Sequence, residues 1–144
     1  MIKKITQITK DTSFDDEVSL SWFDMQKPNL TAYTNKNIDF IIKVKFTHLH
    51  ENDVLLCEDG YRIKINKSED EIFEIVFEDY IDFAKTAYEI GNRHQPICIN
   101  DMKITILNDL SIMDIVNNIS QNNKIKVNKT LGYFRPNGNA HHSH

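Results

Sequence analysis

The sequence predicts an α+β protein, and three observations carry that prediction. Residues up to about Phe77 alternate between apolar and polar, the period lengthens to nearly four from Tyr80, and two helical stripes are then separated by short alternating runs. In the first part, Val18, Leu20 and Trp22 alternate with Ser19, Ser21 and Phe23 and read as a half-buried strand. Met25 to Asn37 is polar and contains Pro28, which predicts a long loop. Asp39 to Phe46 places Phe40, Ile42, Val44 and Phe46 on one face, with Lys43 and Lys45 on the other. Val54–Cys57 and Tyr61–Ile65 flank Glu58-Asp59-Gly60, a hairpin signal because glycine supplies the positive φ such turns need. A charged turn, Asn66 to Asp70, leads to a strand over Ile72–Phe77. These runs predict a small N-terminal antiparallel β domain, a sandwich or meander.

In the second part, Tyr80, Ala84, Ala87, Tyr88 and Gly91 share one helical face, widened by Ile81 and Phe83. Glu78 and Asp79 favour a helix start there, and Pro96 requires a stop near His94. Ile97–Ile99 and Met102–Leu107 read as two strands about Asn100-Asp101. A second helix is expected from Ser111, with Asp114 as its capping-box partner and Ile112, Ile115, Val116 and Ile119 as its stripe. Lys124 to Leu131 alternates as a last strand. With Ile72–Phe77 included, the order is β-α-β-β-α-β, the ferredoxin-like arrangement. The expected organisation is a β domain over 1–76, a ferredoxin-like domain over 77–132 and a flexible tail over 133–144, with the first boundary strand able to join either side. Two glycines, one proline and a polar end carry the expectation of a mobile tail.

With 144 residues, 40% hydrophobic and 26% charged, the composition is that of a globular protein. Lysines and arginines are dispersed and the net charge is −4, which argues against nucleic acid. No apolar run reaches the roughly 20 residues of a membrane span, and the N-terminus lacks the apolar core of a signal peptide. A cytoplasmic protein without membrane attachment is expected. Cys57 and Cys98 then read as small hydrophobes in a reducing compartment.

Half of the six histidines lie in the last four residues: His141, His142 and His144. Neutral imidazole suits nickel, zinc and copper, and a flexible tail carrying three can wrap an ion without a preformed pocket. The plain alternative is a tag or an idle terminus, against which the interrupting Ser143 weighs. His94, at a helix C-terminus, has an ordinary structural role available through the helix dipole. A two-fold axis beside it would instead present two imidazoles to one ion. His48 and His50 would share a face if a strand ran through them, and otherwise read as polar residues where a strand enters a loop. There is no phosphate-binding GxxxxGK(S/T), dinucleotide GxGxxG, zinc-protease HExxH or hydrolase GxSxG signature. Without these, a carrier is favoured over an enzyme. A protein-interaction adaptor with no metal role is the alternative, and a small metal-dependent hydrolase ranks last because no further fixed ligand or base can be named.

Tyr88-Glu89-Ile90-Gly91-Asn92-Arg93-His94-Gln95-Pro96 resembles the signature segment of the urease accessory protein UreE family of nickel metallochaperones. Asp53-Val54-Leu55 before a hairpin, and Phe134-x-Pro136-x-Gly138-x-Ala140 before the histidines, resemble that family's other segments, so the likeness spans roughly Asn52 to His144. The resemblance implies a homodimer in which His94 of each subunit binds one Ni2+ ion, helped by His141, His142 and His144. Zn2+ and Cu2+ are further candidates for the site. It also implies a partner-binding β domain, and delivery of nickel to urease through the accessory GTPase and the urease assembly complex. Asn108 and Leu110 occupy places where some members carry additional histidines, so no peripheral site is carried over.

Overall fold

A computed structural model of the chain describes residues 2–9, 11–43 and 49–138. The chain is α+β and divides into two compact units, Met1–Ser68 and Glu69–His144. No helix among the described residues is long and apolar enough to cross a membrane.

The first unit is a six-stranded sheet ordered β2-β6-β5-β1-β4-β3, from β1 (Lys3–Thr9), β2 (Asp16–Leu20), β3 (Leu30–Tyr33), β4 (Asp39–Ile42), β5 (Val54–Cys57) and β6 (Arg62–Lys67). The expectation of an antiparallel domain is corrected here, since β1 pairs parallel with β4 and β2 parallel with β6. Alternation fixes which side chains face inward but not the direction of a partner distant in sequence. The β5–β6 hairpin forms as expected, with Gly60 at φ 89° in its turn and the Gly60 amide donating to the Cys57 carbonyl at 3.0 Å. Two further corrections concern residues 20–37. Strand β2 stops at Leu20 because the Ser21 hydroxyl accepts from the Asp24 amide at 3.0 Å, capping the short helix α1 (Trp22–Met25). The polar stretch read as loop contains β3, which gains its hydrogen bonds from β4 despite an unremarkable local pattern. Ile5, Val18, Phe40, Leu55, Ile63 and Ile65 form the core.

The second unit runs β7 (Asp70–Phe77), α2 (Tyr80–Asn92), β8 (Cys98–Asn100), β9 (Lys103–Leu107), a 3-10 turn (Leu110–Ile112), α3 (Met113–Ile119) and β10 (Ile125–Gly132). Its sheet is antiparallel and ordered β10-β7-β9-β8. Strand β7 thus belongs to this unit, and the division falls after Ser68 rather than after residue 76: β7 finds both its ladder partners, β9 and β10, downstream. The core joins Phe73, Ile75, Phe77, Ile104 and Ile106 of the sheet to Ile90, Ile112, Ile115 and Val116.

The ends of the helices show how local chemistry sets their limits. Asp79 caps α2, its carboxylate accepting from the Ile81 amide at 2.9 Å. The predicted start of the second helix is corrected: Asp109, two residues before the expected Ser111, accepts from the Ser111 amide at 3.1 Å and caps the 3-10 turn, while α3 begins at Met113 with no side-chain cap. Asp114 is not a capping partner because its carboxylate is held by Arg93. The expectation of mobility from residue 133 onward is not met over residues 133–138. Phe134 is buried, and Ile97 and Gly138 exchange backbone hydrogen bonds of 2.8 and 2.9 Å. Residues 139–144 lie outside the described residues.

Candidate metal centre

The last turn of α2 closes in a particular way. The Gln95 amide donates back to the Ile90 carbonyl at 3.4 Å and the His94 amide to the Gly91 carbonyl at 2.9 Å, the paired bonds that end a helix in a left-handed residue. That residue is His94, at φ 57°. Glycine usually occupies this place because a side chain there crowds the following carbonyl. A histidine held in it is a strained choice, and strain of this kind concentrates at functional positions. The imidazole-bearing residue is exposed.

The neighbours of His94 are anchored to the start of α3. The Arg93 guanidinium donates to both carboxylate oxygens of Asp114, at 2.8 and 2.5 Å, and to the Ser111 carbonyl at 2.8 Å. The Gln95 side-chain amide donates to Ser111 Oγ at 3.0 Å. The hydrogen bonds and charge of Arg93 pull the Asp114 carboxyl down to about 2, and those of Asp114 raise the guanidinium in return.

Helix α2 departs from the sequence reading in its buried face. Thr86 and Ile90 are buried, with Phe83 and Ala87 packed against the core beside them. The stripe containing Tyr80, Ile81, Ala84 and Tyr88 is exposed, at 73% for both tyrosines. At 3.6 residues per turn, these four and Gly91 occupy an arc of about 100°. Two apolar arcs adjoin on this helix; the sequence pattern merges them, and only packing tells them apart. Gly91 lies on the exposed arc one turn before His94, and among the described residues a Cβ there would meet nothing within 4 Å.

The C-terminal segment comes close to the same place. Asn137 extends the pairing at Ile97 by holding Ile99 from both sides, accepting from its amide at 2.9 Å and donating to its carbonyl at 2.8 Å. His94 is three residues before Ile97, and His141 is three residues after Gly138. Three residues of extended chain span about 10 Å.

Among the described residues, no three His, Cys, Asp or Glu side chains are grouped so as to hold a metal ion. His141, His142, His144 and His48 lie outside the described residues. His50 is exposed in a loop, its amide donating to Asp53 Oδ2 at 2.8 Å. Cys57 is buried, and burial raises its thiol to about 11. What sequence reasoning missed near His94 are Ser111 and Asp114 as anchors; the proximity of Arg93 to residues some twenty positions on leaves no local signal.

Residues 70–144 match the family model described as UreE urease accessory protein, C-terminal domain. The whole chain is 62% identical to the urease accessory protein UreE of Aliarcobacter butzleri, over 97% of that protein. It is 23% identical to the UreE of Alteromonas mediterranea over 90% of this chain and 82% of that protein. It is 33% identical to the UreE of Helicobacter pylori strain 26695 over 55% of this chain and 48% of that protein. Together with the helix-ending Gly91-Asn92-Arg93-His94 turn, these matches mean that the chain belongs to the UreE family of urease accessory proteins.

Proposed function

We propose that this protein is a homodimeric nickel metallochaperone that delivers Ni2+ for assembly of the urease metallocentre, and that it is not itself an enzyme. The observation that carries this reading is the position of His94: an exposed ligand on a strained backbone, at the end of an exposed apolar arc that narrows to a glycine. A glycine inside a helix costs about 1 kcal/mol relative to alanine. Among the described residues nothing needs that gap, but a second copy of α2 crossing at Gly91 would. Symmetry would then bring two His94 residues to one ion, supplying what one subunit lacks. Two imidazoles leave coordination positions open, so the ion is held and can also be passed on.

His141, His142 and His144 complete or feed the site. The anchoring of Gly138 to Ile97 supports this, because it starts the tail within reach of His94 of its own subunit. Zn2+ and Cu2+ would compete for the same donors. We read the second unit as a ferredoxin-like metal-binding domain, on its element order and the strand order β10-β7-β9-β8. The first unit serves as the partner-binding module, with exposed Phe23 of α1 and exposed Tyr33 of β3 as contact groups for the urease accessory GTPase or assembly complex. The setting is the cytoplasm.

Titration calorimetry with Ni2+ on the wild type, His94→Ala and a chain ending at Gly138 tests the proposal. The expected result is about one tight ion per dimer, lost in His94→Ala and weakened by truncation. Heats unchanged by both edits would favour the adaptor reading, in which only the first unit acts.

A further inference from the structure

His94 is flanked on both sides by residues tied to a single turn of chain. Arg93 grips Asp114 with two parallel hydrogen bonds and the Ser111 carbonyl with a third, while Gln95 reaches the Ser111 hydroxyl. Pro96 follows, with φ fixed by its ring, and its own ring disfavours helical geometry at Gln95. The left-handed backbone of His94 is therefore spanned by a brace rather than left to the helix end alone. An arginine suits this better than a lysine, because the planar guanidinium meets a carboxylate along two parallel directions and so fixes orientation as well as distance.

The pair is an unpromising source of stability. Both partners are solvent-exposed, and ion pairs of that kind contribute little to folding. A geometric contribution is different. A site made of two imidazoles from two subunits binds well only if each is already in place, since every freedom lost on binding weakens the affinity.

We propose that Arg93 and Asp114, with Gln95 and Ser111, are positioning residues for the metal ligand His94, holding its left-handed backbone so that the imidazole is presented before nickel arrives. This rests on the nickel reading above. Outer-shell groups that orient metal ligands typically account for about 10–100-fold in affinity.

The test has a built-in electrostatic control. Arg93→Ala removes a positive charge beside the site, so charge alone would strengthen the binding of a cation. Loss of position would weaken it. Nickel calorimetry is run on the full-length dimer for the wild type, Arg93→Ala, Asp114→Asn and His94→Ala. Light scattering and melting temperature are recorded for each, and the backbone carbon shifts of metal-free His94 for the three proteins that retain it. The expected result is affinity about tenfold or more lower in Arg93→Ala and in Asp114→Asn. The dimer persists, melting changes little, and the His94 shifts move away from left-handed values. Unchanged or tighter nickel binding in Arg93→Ala overturns the proposal, as does a loss in both variants explained by dissociation or unfolding. If His94→Ala itself binds nickel like the wild type, the nickel reading fails and this inference falls with it. If His94→Ala loses nickel but the other two variants do not, only the positioning role fails.

Discussion

Replacing His94 by glycine and, separately, by alanine isolates the cost of its backbone. Both changes remove the imidazole and every contact it makes, so the difference between them reports on φ 57° alone. A left-handed residue with a Cβ costs about 1–2 kcal/mol. Glycine avoids this but loses about 0.5–1 kcal/mol more than alanine through the freedom of its unfolded chain. The net expectation is that His94→Gly is more stable than His94→Ala by about 0.5–1 kcal/mol. For a unit the size of Glu69–His144, that corresponds to melting about 2–8 °C higher. The assay is thermal or chemical unfolding without metal, at one protein concentration, so that subunit association does not shift the comparison. Both variants should also lack the tight nickel event. If the alanine variant is the more stable of the two, the left-handed turn does not carry the strain assigned to it. The argument that function holds a histidine in a glycine position would then fail.

Three further expectations follow from the same geometry. Tyr88→Glu places a charge in the middle of the exposed α2 arc, and should weaken dimer formation about tenfold or more while leaving the far-UV circular dichroism intact; an unaltered dimer in light scattering would remove that arc from the interface. Asp114 has its carboxyl lowered from 3.8 to about 2 by the Arg93 hydrogen bonds, so the stability it lends is complete above pH 3.8 and fades as pH falls through about 2. The melting difference between the wild type and Asp114→Asn, small because both partners are exposed, should therefore narrow across that interval, and a difference independent of pH there would contradict the pairing. Thiol labelling near neutral pH should modify half-buried Cys98 promptly and Cys57 only as fast as the first unit opens, because burial keeps the latter protonated; equal rates would refute the burial of Cys57.

Much of this architecture is legible in the sequence because it rests on local physics. The Asp59-Gly60 turn, the Asp79 start of α2, the stop before Pro96 and the element order of the second unit each depend on a few neighbouring residues. Gly91-Asn92-Arg93-His94 is likewise readable as a helix ending with a candidate ligand. The failures share a different character. The parallel pairings of β1 with β4 and β2 with β6 join strands remote in sequence, and β3 exists only because β4 lies beside it. Asp114 is a plausible capping partner by spacing, yet a guanidinium from the end of α2 takes its carboxylate, and Asp109 caps the 3-10 turn ahead of α3.

By itself, then, the amino-acid order determined the type and order of most elements, the turn at Gly60, the Asp79 start and the stop before Pro96 of α2, and the family. Those are decided by backbone sterics, turn chemistry and periodicity, all of which act over a few positions. Only the tertiary structure decided which of two adjoining apolar arcs on α2 is buried. It alone also brought Ser111 and Asp114 against the residues flanking His94, and Gly138 against Ile97. Such contacts arise from the packing of segments far apart in the chain, and a linear pattern carries no record of which distant surface will arrive.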